Sequence, residues 1–341
     1  MMSLARMPRL VLALAIAAMT MIPAHAVTID WVTVGDPGNA ADTTGYGAVS
    51  DVFKISKYEL TIQQYTDFLN SVAASDPYSL YNTSMASNLS IAGISRSGSS
   101  GSYTYSVITN SGNSANRPIT YVSWFDAARF ANWMQNGQGA GSTETGAYTL
   151  VGGQTSGEAP AKNPGAQFYI PTENEWYKAA YYKGSGTNAG YWGYATQSNT
   201  APGNTIGSQA NQANYNNGFY AVTKANSFSL TENYLTDVGA FTNSASAYGT
   251  FDQSGNVWEW NDLTGTAGSS RGIRGGRWNS YGPVHLSSSS RFWGFLPSSE
   301  DMNGGFRLAS PVAVPEPSTW ALAAAGLAFG AWQLRRRKRA A

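Results

Sequence analysis

Apolar positions fall into two kinds of pattern along this chain. At each end they form a nearly continuous run, over residues 10–21 and again over residues 320–334. Between these runs they recur at spacings of three and four, behind a repeated start signal. Thr61 with Gln64 precedes Tyr65, Phe68 and Leu69. Ser123 with Asp126 precedes Ala127, Phe130, Ala131 and Met134. Thr172 with Glu175 precedes Trp176, Ala179 and Ala180, and Pro171 fixes the entry. In each, a hydroxyl can take an orphan helix N–H while the side chain three residues on reaches back, so three capped amphipathic helices are predicted. The intervening chain is turn-forming. Residues 71–116 and 137–165 read as long surface excursions with short strands, such as the alternating stretch 103–109. Long loops of this kind carry function or need an ion. There is no internal repeat.

The end runs read as addresses. Arg6 and Arg9 precede the first, and Ala24-His25-Ala26 gives a small-residue cleavage site. This is the form of a secretory signal peptide over residues 1–26, with a mature chain starting near Val27. The second run has fifteen residues, short of the ~20 that span a bilayer comfortably. Pro315-Glu316-Pro317 precedes it and Arg335-Arg336-Arg337-Lys338-Arg339 follows it. The basic cluster would stay on the cytoplasmic side. This tail, residues 311–341, resembles the PEP-CTERM sorting signal of Gram-negative bacteria. The resemblance implies recognition by an exosortase, transient residence of residues 320–334 in the inner membrane, and delivery to the envelope or extracellular matrix.

Composition narrows what the middle, residues 27–310, can do. Removing Arg6, Arg9 and the five basic tail residues leaves 14 of 21 Lys+Arg, and removing Glu316 leaves 19 of 20 Asp+Glu, a net charge of −5. A mildly acidic domain lacks the footprint of a nucleic-acid binder, so no nucleic-acid partner is expected. The chain has no cysteine, which excludes thiol nucleophiles, thiolate metal sites and redox pairs. His285 is the only histidine outside the leader. Gly, Ser, Asn and Thr abound beside 11 Trp and 20 Tyr, which suits a loop-rich exported fold pinned by rigid aromatics rather than a disordered chain.

A series of blocks runs through the middle in a fixed order. Phe53-Lys54-Ile55-Ser56-Lys57-Tyr58-Glu59-Leu60 comes first, then Arg117-Pro118-Ile119 with Val122-Ser123-Trp124. Tyr169-Ile170-Pro171-Thr172-Glu173-Asn174-Glu175-Trp176 follows, then Ser254-Gly255-Asn256-Val257-Trp258-Glu259-Trp260. Arg274-Gly275-Gly276-Arg277-Trp278 and Gly305-Phe306-Arg307-Leu308 complete it. This series resembles the formylglycine-generating enzyme (sulfatase-modifying factor) domain family. The resemblance implies an irregular α+β fold of the C-type-lectin kind with one continuous core. The paired glycines would allow close approach or positive φ, the tryptophans would fill the core, and Arg274 and Arg307 would tie loops together through carboxylates or carbonyls.

The best-known members of that family hold copper with two cysteines five residues apart after the Gly-Gly motif. The corresponding positions here are Ser280 and His285. A hydroxyl and one imidazole do not make a two-coordinate soft-metal site, so no copper and no copper oxidase chemistry are expected. A hydrolytic Ser280–His285 pair would need a third orienting group and an oxyanion hole, and no Gly-x-Ser-x-Gly elbow is present. No catalytic residue is assigned. Other branches of the family work with a histidine-rich iron domain, for which this chain has no histidines.

The expected role is a non-catalytic binding module for extracellular polysaccharide or a surface protein. The alternative is a family enzyme with divergent chemistry. A passive matrix component is a third possibility. The binding candidates are Arg277, Asn279, Tyr281, His285, Arg291 and Trp293, rigid aromatics among small polar residues. Trp278 is expected in the core. The resemblance also implies Ca²⁺, held by the Asp252 side chain, the Gly255 and Val257 carbonyls and Glu259; hard oxygens on a tight loop suit that ion. Pairing of Glu259 with an arginine such as Arg274 is the competing reading. A second calcium loop would begin at Asn214-Tyr215, without an evident acidic partner downstream.

Overall fold

Each of the three start signals begins a helix. In α1, Ile62–Val72, Gln64 N donates to Thr61 Oγ1 at 3.2 Å and Thr61 N donates to Gln64 Oε1 at 2.9 Å. Ser123 and Asp126 repeat the exchange before Trp124–Gln135, and Thr172 and Glu175 do so before Glu173–Tyr181. Each cap contributes ~1 kcal/mol by satisfying otherwise orphaned helix N–H groups. The apolar faces read from the spacing are buried in all three. A computed structural model supplies the coordinates and describes residues 26–312. The leader before residue 26, Pro315-Glu316-Pro317 and the apolar run 320–334 lie outside the described residues. Among the described residues no helix is long and apolar enough to cross a membrane.

Among the described residues nine strands accompany these helices. β1 (Trp31–Val34), β2 (Phe53–Ser56) and β9 (Ala309–Pro311) form an antiparallel sheet in the order β1-β2-β9, which brings the two ends of the domain together. After α1 and the single turn α2 (Ser84–Ser87) comes the hairpin β3 (Ile94–Ser97) and β4 (Thr104–Val107), where alternation along 103–109 predicted a strand. The helices α3 (Trp124–Gln135) and α4 (Glu173–Tyr181) follow. The last sheet has the order β7-β6-β5-β8, from β5 (Trp258–Asn261), β6 (Arg271–Arg274), β7 (Phe292–Phe295) and β8 (Gly304–Gly305). β8 runs parallel to β5, and the chain approaches so closely that a Cβ on Gly305 would lie 2.6 Å from the Ile119 carbonyl oxygen. Gly275, at φ 102°, turns the chain after β6 in a region costly for any L side chain.

The core corrects one expectation. α3 reads as amphipathic, yet Trp124 through Met134 are all buried. Most of residues 137–165 are exposed, as a surface excursion should be, but the stretch 143–150 turns inward and covers the polar side of α3. Arg129 pairs with Glu144 through two hydrogen bonds of 2.8 Å, and Asn132 donates to Thr143 O at 2.7 Å while accepting from Tyr148 N at 2.8 Å. A loop segment can be buried when side chains satisfy its backbone groups in this way. The apolar face of α3 packs Phe130 and Trp133 against Phe68 of α1 at ring-centroid distances of 5.3 Å, and Phe306 meets Phe130 at 5.7 Å.

Candidate functional site

Strand β5 reads Trp-Glu-Trp-Asn, and period-two geometry sends its tryptophans and its glutamate to opposite sides of the sheet. On the buried side, Arg307 donates to both Glu259 oxygens, at 2.5 and 2.6 Å, and Trp176 Nε1 donates to Glu259 Oε2 at 2.7 Å. The remaining guanidinium hydrogens of Arg307 reach the carbonyls of Ser56 and Phe251, both at 2.9 Å. A second knot lies beside it. Glu173, at the start of α4, accepts from Arg274 Nε at 2.8 Å and from Arg291 Nε and Nη2, both at 2.8 Å. Arg274 and Arg307 thus tie loops as expected. The competing reading of Glu259 holds in kind but with a different partner: Glu259 pairs with Arg307, and Arg274 goes to Glu173.

On the other side of β5 the surface opens. Trp260 anchors one edge by donating its indole N–H to Val122 O at 2.9 Å. A cavity of about 390 Å³ lies against Trp258, Trp260 and Phe295, with Arg277, Glu300 and Asp301 at its polar end. A second cavity of about 230 Å³ shares Trp258, Arg277 and Phe295 and adds Phe292 and His285. The two form one cleft. The Trp258 ring meets Phe292 edge-on at 4.9 Å and His285 at 5.9 Å. This aromatic lining comes from neighbouring strands, since Ile273 pairs with both Trp260 and Phe292.

The polar groups of the cleft are only partly engaged by the protein. Asn82 donates to Glu300 Oε2 at 2.5 Å, and Asn303 donates to Asp301 Oδ1. Burial holds the Glu300 carboxyl above its usual range. The imidazole of His285 is pushed below its usual value, by burial first and then by the positive charge of Arg277. A neutral ring of this kind can donate from one nitrogen and accept at the other near neutral pH.

The residues singled out from the sequence divide sharply. Arg277 and His285 meet in the cleft. Tyr281 and Trp293, 81% and 68% exposed, stand on the surface outside the lining of either cavity. Arg291 serves the Glu173 knot. Asn279 is half-buried with its side-chain oxygen enclosed and unbonded. Trp278 is core, stacked on Tyr234 at 4.8 Å. Ser280 is buried and accepts a hydrogen bond from Arg277 N at 3.2 Å, and no hydrogen bond joins it to His285. A Ser280–His285 couple is therefore not assembled. Phe292 and Phe295 escaped sequence reasoning because β7 carries an extra residue opposite Gly272, so that Arg271 pairs with Phe295 and Ile273 with Phe292. The signal that could have found the cleft is the Trp-x-Trp alternation of β5.

The loop expected to hold calcium is a crowded acidic interior. Asp252 accepts from Gly239 N at 2.6 Å, and its carboxyl is raised to about 6, chiefly by burial. Glu59, bonded to Asn256 Nδ2 at 2.8 Å, is raised well above its usual range by burial and then by the negative charges of Asp252 and Glu259. Three buried carboxylates therefore share the charge of Arg307. Both Glu259 oxygens are already occupied, and among the described residues no group of three or more acidic or histidine side chains converges as a metal cage. At the second loop, Asn214 Nδ2 donates directly to Asn256 Oδ1 at 3.0 Å and to Tyr234 O at 2.9 Å.

Comparison with known proteins gives the chain its place. The model of the sulfatase-modifying factor enzyme 1-like domain matches residues 22–312, and that of the PEP-CTERM protein-sorting motif matches residues 313–338. Nothing among curated proteins matches. Similar solved structures include CarF, 20% identical over 84% of this chain and 100% of its own at a TM-score of 0.47. Treponema denticola variable protein 1 is 17% identical over 85% of this chain and 97% of its own, at 0.45. PvdO from Pseudomonas aeruginosa is 18% identical over 83% and 92%, at 0.40. The sorting motif implies an exosortase-type partner, export and envelope sorting. The irregular α+β middle, with its six ordered blocks, belongs to the sulfatase-modifying factor enzyme 1-like domain family, and the chain carries a PEP-CTERM sorting motif behind it.

Proposed function

We propose that this protein is an exported, envelope-sorted binding module whose cleft beside β5 takes a surface glycan or a surface protein, and that it has no copper oxidase chemistry. The observation that carries the reading is the cleft itself. It combines flat aromatic walls with polar groups whose hydrogen-bonding capacity the protein leaves unused. At the positions where the family's copper cysteines stand, this chain has a serine engaged with backbone and a histidine without a thiolate neighbour. The test is binding of the full-length protein to a glycan array and to envelope proteins, with product analysis of whatever binds. Retention of ligand without turnover, lost in Phe295→Ala, supports the module. Oxidation of a sulfatase-derived peptide with bound copper overturns it. A second reading, a family enzyme with divergent chemistry, draws support from His285 and Glu300 lining the same cleft, since a titratable pair can serve acid–base chemistry.

We also infer that Ca²⁺ binds as a structural ion at Asp252 and the Gly255 and Val257 carbonyls, with Glu259 nearby but committed to Arg307. The excess of buried carboxylates over arginine supports this, because a divalent cation offsets their repulsion. Metal analysis with thermal melts in Ca²⁺ and in EDTA tests it. A melting temperature that EDTA leaves unchanged, with no calcium in the preparation, removes the ion from the account.

A further inference from the structure

Eight arginines lie among the described residues, and seven have their guanidinium engaged by the protein. Arg96, Arg129, Arg271, Arg274, Arg291 and Arg307 each have a carboxylate partner, and Arg117 donates to the carbonyls of Asn110 and Ser111. Arg277 is the exception. Its backbone N–H bonds Ser280, but its half-buried guanidinium has no hydrogen bond or ion pair with a described residue. It lines both cavities of the cleft. None of its nitrogens is among the enclosed unbonded polar atoms, so the fork opens to the cleft and is free for a ligand, and an arginine fork matches a carboxylate through two parallel hydrogen bonds.

The rest of the cleft restricts what can bring that carboxylate. The half-buried Phe292 and Phe295 offer apolar ring surface over the buried Trp258. Glu300 and Asp301 are acceptors that line the larger cavity with Arg277, and neither forms an ion pair with it. Their negative charge repels a ligand that is acidic throughout, such as a run of acidic peptide side chains. It suits a ligand that offers hydroxyls to them and a single acid group to Arg277. The larger cavity, about 390 Å³, falls within the usual range for small-ligand clefts, and the smaller, about 230 Å³, extends it.

We propose that the cleft recognises an acidic saccharide, with the sugar carboxylate of a uronic acid residue on Arg277, a sugar face against Phe295, and ring hydroxyls donating to Glu300 and Asp301. This rests on the binding-module reading and deepens it. No bond is made or broken.

The experiment is calorimetric binding of a uronic acid oligomer to the full-length protein, beside the carboxyl-reduced oligomer of equal length and an acidic peptide of equal charge. The uronate is expected to bind at least about tenfold more tightly than its reduced form, the scale of one charge-assisted contact. Arg277→Gln should remove that difference while leaving the weak binding of the neutral oligomer, and Arg277→Lys should keep part of it. Unchanged thermal melts would exclude loss of fold. Equal binding of acidic and reduced oligomers, or a wild-type difference that survives Arg277→Gln, overturns the proposal while leaving a neutral-glycan module standing. Tighter binding of the acidic peptide overturns it in favour of a protein partner. No binding of any probe removes the acidic-saccharide proposal and, if glycan and envelope-protein screens also fail, the module reading with it.

Discussion

The two sides of strand β5 are built from alternating residues of one short segment, yet they solve opposite problems. On the inner side every polar atom of Glu259 and nearly every donor of Arg307 is spoken for, within a dry interior of tryptophan and backbone. On the outer side Trp258 borders a cleft where the side chains of Arg277 and His285 have no hydrogen-bond partner among the described residues and two carboxylates are half satisfied. A fold with little regular structure needs side-chain knots to hold its loops, and the inner side supplies them. The outer side keeps its capacity for something else. What distinguishes a structural arginine from a recognition arginine here is not its neighbours in sequence: Arg274 and Arg277 stand three residues apart, across Gly275 and Gly276.

The contrast can be broken most forcefully from the inner side. Arg307→Ala leaves Glu259 charged and enclosed, and should cost ~3–5 kcal/mol in denaturant unfolding, the usual penalty for removing one partner of a buried pair. Arg277→Ala, three residues from Arg274, should by contrast leave stability within about 0.5 kcal/mol, as for substitutions that break no packing or network. A similar loss for both would mean that Arg277 is structural too.

Acidity tests the same division. Asp126 and Asp262 are buried and raised to about 7, each chiefly by burial. Facing them are Ser123, Arg129 and Glu300 for the first, and Tyr148, Arg271, Lys162 and Glu175 for the second. Carboxyls whose folded values lie above the unfolded ~4 bind protons more tightly when folded. Their contribution is full below about pH 4 and is lost as pH rises through about 7, on the order of a few kcal/mol together. The melting temperature should therefore fall between pH 5 and pH 8. A melting temperature that rises over that interval contradicts the burial of these groups as charged-form penalties.

Smaller effects sharpen the picture. Thr172→Ala removes the α4 cap and should cost ~1 kcal/mol by chemical denaturation, with ligand binding unaffected. Trp293→Ala, at an exposed ring beside the cleft strand, should shift stability by less than about 0.5 kcal/mol. A large drop in glycan affinity from the same change would extend the recognition surface beyond the two cavities.

Much of the scaffold was legible because the governing interactions are local. The capping boxes at Thr61, Ser123 and Thr172 involve residues three apart, so spacing alone predicted them. The ordered blocks told of the family for the same reason. The site was only half legible. Arg277 and His285 were found, but Arg291, equally cationic and equally near in sequence, is consumed by Glu173, 118 residues away. Tyr281 and Trp293 were attractive as aromatics in a polar loop, and nothing local says that both turn outward. Phe292 and Phe295 both enter the cleft because a bulge in β7 sets two residues opposite Gly272 of β6, a feature decided by the pairing of the strands.

By itself the sequence determined the helix starts, the absence of any thiol to grip copper, the acidic middle between two address-like ends and the membership of a family. These are properties of composition and of neighbours within one turn of chain. Only the tertiary structure decided which carboxylate each arginine meets, that the loop over residues 137–165 closes on α3, and that one guanidinium is left over in an aromatic cleft. Ion pairing between buried groups depends on separations of a few ångströms between residues a hundred positions apart, and no local pattern encodes that distance.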